Sequence, residues 1–320
     1  MTFVEDTSIG AIEVDSDFAG ALFDGLSAPE KSIPSRFLYD AAGSTLFEKI
    51  TELPEYYPAR IETEILRKYA SDIALDTPPG AVLIEFGSGS SLKTELLLAK
   101  MRDLYAYVPI DISDAALRGA RARIEERFLD LRVLPLRGDF AQPIPMLPEI
   151  ADRPRLGLFP GSTIGNLENA ASIKLLANMA RMLGANGRLV IGADLKKDEH
   201  RLIAAYDDAA GVTAAFNLNL LKRANRELGA DFDVSQFDHL AEYDGGCDRI
   251  EIYLVSQAEQ TVEVLGRSFH FDAGERVHTE HSHKYDIEGF QALAARAGWR
   301  PVQVWTDQDR LFSVHVLETV

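Results

Sequence analysis

The stretch Glu85-Phe-Gly87-Ser88-Gly89-Ser-Ser-Leu92-Lys93-Thr94 sets two glycines between a short apolar run and a helix-like segment. Glycine lets a backbone turn sharply and come close to a ligand, and the first turn of the following helix offers N–H groups, so a nucleotide-like cofactor fits there. Asp111 ends the next strand about two dozen residues on, the place where an acid accepts hydrogen bonds from ribose hydroxyls. A bare Gly/Ser turn and a helix-capping Asp are the plainer readings of the same residues. Three cofactors compete for the loop. A dinucleotide site wants G-x-G-x-x-G and a phosphate-cradling loop wants G-x-x-x-x-G-K-[ST], and Leu92 stands at the missing glycine of both. S-adenosylmethionine carries no phosphate. It needs the tight turn, the ribose acid and an adenine pocket, for which Asp139-Phe140 supplies a polar and an aromatic side chain.

A second group lies far along the chain. Glu280 and Ser282 are two residues apart, so on an extended strand they share one face, while His281 and His283 point to the other. The same alternation divides His278, Glu280, His281 and His283, so no metal site is expected from them. A solvated strand is the simpler alternative. Ser88, Ser90 and Ser91 fit no G-x-S-x-G nucleophile elbow.

These residues need a frame. Ile61, Ile65, Leu66, Tyr69 and Ile73 recur at helical spacing until Pro78-Pro79-Gly80. Strand, glycine loop and helix follow over Ala81–Phe86, Gly87–Ser91 and Leu92–Leu104. The unit repeats as strand Tyr107–Ile110 and a helix from Ser113 to about Phe128. Further strands are predicted at Arg132–Leu136, Arg155–Phe159 and Arg188–Ala193, with a helix over about 170–183. Alternation of this kind argues for a doubly wound α/β fold, a parallel sheet covered on both faces with its ligand crevice at the strands' carboxyl ends. The pattern then changes: 201–228 reads as one long helix and 231–285 as short strands and turns. The tail reads as helix 287–297 and strands 302–305 and 311–317, completing the sheet antiparallel.

Composition narrows the partners. The net charge of −17 repels a phosphate backbone, so nucleic acid is not expected as a substrate. Cys247 is the only cysteine, which excludes an intrachain disulfide and suits a reducing cytoplasm. Met1 to Gly10 shows no signal pattern, and no apolar run nears the roughly 18 residues of a membrane span. A cytoplasmic monomer acting on a small molecule is expected.

Five stretches carry a family likeness: Phe37-Leu-Tyr39-Asp-Ala-Ala-Gly43-Ser-Thr-Leu-Phe47, Leu53-Pro-Glu-Tyr56-Tyr57-Pro58, the glycine loop, Pro160-Gly161-Ser-Thr163-Ile-Gly-Asn166, and Ala205-Tyr206 through Asn217. Together they resemble the histidine-specific Nα-methyltransferases of ergothioneine biosynthesis, from about residue 25 to the end. The resemblance implies a Rossmann-like methyltransferase sheet at 60–196 and 286–320, with a smaller α+β substrate lobe at 14–59 and 197–285. It implies three methyl transfers from S-adenosylmethionine to the α-amino group of histidine, giving hercynine. Cofactor residues would be Gly87, Ser88, Gly89, Lys93, Asp111, Asp139 and Phe140. Tyr56, Asn166 and Tyr206 would hold the substrate's amino and carboxylate groups, near Gly161 and Thr163, with Tyr39 closing over them. Tyr39, Tyr56 and Asn166 are the residues placed at the chemistry, the tyrosine faces suiting a methylated cation. Glu280 and Ser282 would meet the imidazole. One position departs: Ile252 stands where the family often has Met, keeping an apolar wall without the polarizable sulfur. A relative acting on another amino acid or small amine therefore stays open, whereas the joint presence of Tyr56, Asn166, Tyr206 and Glu280 argues against a non-catalytic sensor of S-adenosylmethionine.

Overall fold

The computed structural model describes residues 15–89 and 92–320. The stretch Met1–Gly10, residue Val14, and Ser90 and Ser91 of the glycine loop lie outside the described residues.

Helices α1 (Ser16–Ser27) and α2 (Ala41–Glu52) open the chain. Each begins on an aspartate, Asp15 or Asp40, whose carboxylate accepts from first-turn N–H groups. Helix α3 (Tyr57–Leu75) starts earlier than the periodicity from Ile61 indicates, because Pro58 sits in its first turn, where a missing N–H costs little. Strand β1 (Val82–Phe86) leads to α4 (Leu92–Leu98), and β2 (Ala106–Asp111) to α5 (Asp114–Arg127), which Ser113 caps. Helix α4 stops well short of Leu104. Lys100 N–H folds onto Leu97 O, and Asp103 O accepts from Gly80 N–H at 2.7 Å, which turns the chain back toward the start of β1.

The third strand is two short pieces, β3 (Arg132–Val133) and β4 (Leu136–Arg137), with Pro135 between them unable to donate to the ladder. Next come β5 (Arg155–Phe159), α6 (Asn169–Leu183) and β6 (Arg188–Asp194). The helix expected over 201–228 is two, α7 (Glu199–Tyr206) and α8 (Val212–Leu228). Gly211 breaks it at φ +71°, and the Asp208 carboxylate caps α8 by accepting from Val212 N–H at 2.9 Å and Thr213 N–H at 2.7 Å. Strands β7 (Phe237–Asp244), β8 (Arg249–Ser256), β9 (Gln260–Val264), β10 (Arg267–Phe271) and β11 (Arg276–His283) follow. Helix α9 (Ile287–Ala295), β12 (Trp299–Thr306) and β13 (Phe312–Thr319) end the chain.

The main sheet has the order β12-β13-β6-β5-β1-β2-β3, with β4 also on β2. Strands β6, β5, β1, β2, β3 and β4 are parallel, and β13 and β12 close the edge antiparallel, as the tail of the sequence indicates. From β1 the chain winds outward through β2 and β3, then returns to β5 on the other side. The topological switch point is therefore between β1 and β5, where a ligand crevice opens outside the carboxyl ends. Val82, Ile84, Phe86, Val108, Ile110, Phe159, Leu176, Met179 and Ile191 are buried between the sheet and its helices. Trp299 fills the same core and donates its indole N–H to Leu176 O at 2.9 Å.

The described residues form two compact units, one from residues up to Glu55 with Ile203–Glu242 and Glu251–Glu280, the other from Tyr56–Leu202, Tyr243–Ile250 and His281–Val320. Residues 243–250 fall in the second, sheet-bearing unit, held there by Asp248: its carbonyl accepts from Lys284 N–H and its carboxylate pairs with Lys196, each at 2.7 Å. No helix among the described residues is long and apolar enough to cross a membrane.

Candidate active site

In the sheet-bearing unit the glycine loop leaves β1 with both glycines in the left-handed region, Gly87 at φ +78° and Gly89 at φ +41°. That conformation is why the positions are glycine. Gly87 N–H donates to Ile110 O at 2.8 Å, which sets the loop beside the end of β2. Asp111 Oδ1 accepts from Ser113 N–H at 2.9 Å, and Oδ2 faces the Ser88 hydroxyl at 3.5 Å. From the end of β4, Gly138 N–H donates to Asp111 O at 3.0 Å, which brings Asp139 and Phe140 to the same edge. A Cβ placed on Gly87 would lie 3.6 Å from the Phe140 ring. A carboxylate, a bare turn and an aromatic face thus converge at the switch point, while Leu92 is exposed where a phosphate site needs glycine. This donor set fits a nucleoside without phosphate, as in S-adenosylmethionine.

Glu85, just before the loop, is buried and accepts from Thr94 Oγ1 at 2.5 Å and from the Tyr107 hydroxyl. Burial pushes its carboxyl up to about 7, against the pull of those two hydrogen bonds.

The other flank of the crevice is the turn after β5. Gly161 has φ +87° and buried Ser162 has φ +54°, an unfavourable conformation for a residue with a Cβ. Its hydroxyl accepts from Asp194 N–H at 2.9 Å, which holds the strained turn against the end of β6. Asn166 closes this turn and is half-buried, whereas Thr163 is exposed. A Cβ on Gly165 would meet His283 O at 2.8 Å and Ser282 Oγ at 3.6 Å, so the turn packs directly on the last residues of β11.

Beneath lies a buried polar network. Tyr57 OH donates to Asp194 Oδ2 at 2.7 Å, Lys284 Nζ sits 2.9 Å from the same carboxylate, and Lys197 pairs with both Asp194 and Tyr57. Burial alone would raise the Asp194 carboxyl, but the ammonium groups of Lys284 and Lys197 outweigh it and hold it below the usual carboxylate range. Burial pushes Lys197 down to about 8, against the attraction of Asp194. Such charges cost several kcal/mol each to desolvate, so only close mutual pairing keeps them inside. The network anchors the first turn of α3 and with it Tyr56, the residue preceding that helix, which is 9% exposed.

The remaining predicted residues belong to the other unit. Tyr39 packs edge-on against Phe47 and Phe216, with ring centroids 5.5 and 5.4 Å away. Tyr206 is buried, and its carbonyl accepts from His239 Nε2 at 2.8 Å. Asn217 Nδ2 donates to His239 Nδ1 at 3.0 Å and to Tyr253 O at 3.0 Å. That pair of contacts gives His239 its Nε2–H tautomer, and burial lowers its tendency to charge. Ile252 on β8 is 3% exposed, and its carbonyl accepts from Thr279 Oγ1 at 3.2 Å. Glu280 is 9% exposed.

Reading the sequence alone misses Glu62, Tyr57, Asp194, Lys197 and Lys284. Glu62 carries a signal: a carboxylate on the apolar face that Ile61 and Ile65 define in α3. Also missed is Glu168, whose carboxylate lies near His281 and His283, with all three ligand atoms within 4.8 Å of one another. Arg249 pairs with Glu168 at 2.5 Å and supplies a competing cation there.

The sheet order, the glycine loop at its switch point and the acid ending β2 define a Rossmann-like S-adenosylmethionine-dependent methyltransferase. Within that class the chain belongs to the histidine-specific, SAM-dependent methyltransferase family, whose model matches residues 18–319. It is 43% identical over 288 residues to histidine N-alpha-methyltransferase of Mycolicibacterium smegmatis, covering 88% of this chain and 89% of that protein. It is 31% identical over 300 residues to ergothioneine biosynthesis protein 1 of Neurospora crassa, covering 90% of this chain and 33% of that one. A crystal structure from Bordetella parapertussis superposes with TM-score 0.50 at 12% identity, covering 89% of this chain and 85% of the other, a likeness of fold alone.

Proposed function

We propose that this protein methylates the α-amino nitrogen of histidine three times, giving hercynine on the route to ergothioneine. The observation that carries the reading is the 43% identity, over most of both chains, to a protein named histidine N-alpha-methyltransferase. S-adenosylmethionine supplies the methyl group from its sulfonium. The glycine loop, Ser88, Lys93, Asp111, Asp139 and Phe140 bind it at the switch point. Tyr56, Asn166 and Tyr206 hold the substrate's amino and carboxylate groups beside Gly161 and Thr163. Glu280 and Ser282 take the imidazole against Ile252.

Transfer to nitrogen needs a neutral lone pair in line with the sulfur–carbon bond, so positioning is the protein's main contribution. Each round removes an N–H donor, and the trimethylated product is a fixed cation. The Tyr39 and Tyr56 rings offer that cation π-faces, an attraction that survives when hydrogen bonds no longer can form. Ile252 favours a second reading, in which the amine of another amino acid is the acceptor. The net charge of −17 supports a small molecule rather than nucleic acid as substrate. A monomer working in a reducing cytoplasm completes the reading.

The test is mass spectrometry of histidine incubated with the protein and S-adenosylmethionine. A gain of three methyl groups, all on Nα, is expected. Ring-methylated histidine, or faster turnover of a different amino acid, would overturn the assignment.

A further inference from the structure

Glu62 is a carboxylate inside the sheet-bearing unit, 1% exposed. Gly161 N–H donates to its two oxygens at 2.8 and 3.0 Å, and the Lys93 ammonium donates to Oε2. Gly192 on β6 provides the room, since a Cβ there would lie 2.0 Å from Glu62 Oε1. One side chain of α3 thus reaches over Gly192 of β6 and ties α4, behind the glycine loop, to the turn after β5. These are the two segments that flank the switch point.

A fold that needed only a packed helix would place an apolar residue at this position, because an unpaired buried carboxylate is costly. Lys93 carries three donors on a flexible stem. Its bond to Glu62 removes most of that freedom and holds the ammonium at the start of α4, with 20% of the side chain exposed. The doubly accepted Gly161 N–H likewise fixes the first residue of the turn that ends in Asn166.

We propose that Glu62 is a positioning residue of the methyl-transfer site: it aims Lys93 at the carboxylate end of the bound cofactor and sets the substrate turn through Gly161. This rests on the assignment of Lys93 and Gly161 under the proposed function. Glu62 touches neither ligand and acts through those two residues.

The test measures S-adenosylhomocysteine binding by calorimetry for the wild type, Glu62→Gln, Lys93→Met and the double variant, together with KM for histidine. If Glu62 acts through Lys93, each single variant weakens binding about tenfold and the double is no weaker than Lys93→Met alone. Glu62→Gln also raises KM for histidine, because its one amide oxygen cannot serve both Gly161 N–H and Lys93 and its NH2 group faces the remaining donor, while Lys93→Met leaves that constant near the wild-type value. Gly192→Ala, which displaces the carboxylate without changing its charge, reproduces the Glu62→Gln pattern. Additive losses in the double variant, or wild-type affinity and KM in Glu62→Gln, overturn the proposal while leaving the assigned function intact. Failure of the wild type to bind S-adenosylhomocysteine overturns the functional reading and this proposal with it.

Discussion

Lys284 Nζ donates to Ser282 Oγ at 2.8 Å, and the same ammonium lies 2.9 Å from Asp194. An ammonium has no acceptor capacity, so the serine oxygen accepts from it and turns its own proton elsewhere. Lys284→Met removes a positive charge from a buried pair and leaves Asp194 with Lys197 and Tyr57. The expected cost is about 3–5 kcal/mol of stability, read from urea unfolding. A loss below about 1 kcal/mol would show that Lys197 alone satisfies the carboxylate.

Glu280→Ala is expected to raise KM for histidine sharply while leaving cofactor affinity near the wild-type value. A carboxylate facing an imidazole N–H gains a charge-assisted hydrogen bond that apolar or amide side chains cannot return, so it rejects them more strongly than shape alone does. The variant should also narrow the gap between histidine and bulky aromatic amino acids. Steady-state kinetics on both substrates checks this, and an unchanged preference would reduce Glu280 to a buried structural acid.

Asp111→Ala should weaken S-adenosylmethionine binding by roughly 2–3 kcal/mol, the loss expected when a charged acceptor of ribose hydroxyls is removed. Titration calorimetry gives the number directly. Unchanged affinity would take Asp111 out of the cofactor site and leave it as an acceptor for Ser113 N–H and the Ser88 hydroxyl.

Glu85 makes stability depend on pH in a direction opposite to an ordinary ion-paired acid. Its carboxyl is raised from 4.5 to about 7 in the folded chain, mainly by burial. The folded state therefore binds the proton more tightly than the unfolded state, and this contribution is full below about 4.5 and is lost as pH rises through about 7. Its size is on the order of 3 kcal/mol. Glu85→Gln should gain stability relative to the wild type as pH rises across that window, measured by urea unfolding at several pH values. Parallel stability curves would mean that Thr94 and Tyr107 compensate the charge fully.

The loops at the strand ends were legible because they are local. Gly87 and Gly89 follow β1, Asp111 ends β2 and Asp139-Phe140 follows β4, and strand ends of one parallel sheet lie together by topology. The antiparallel closure by β12 and β13 was also legible in the tail of the sequence. Local signals misled where a single turn decides the outcome. Apolar periodicity runs through 201–228, yet Asp208 and Gly211 stop one helix and start another.

What the sequence by itself determined is the class of fold, the loops at its switch point and, through five ordered motifs, the family. Only the tertiary structure decided which charged residues are interior. Asp194, Lys197 and Lys284 look like ordinary surface charges in a linear reading, and Glu62, although it interrupts an apolar helix face, meets its partner Gly161 99 residues away. A charge is held inside only by partners close enough to offset its desolvation, and those partners come from strands and turns that folding alone brings into reach.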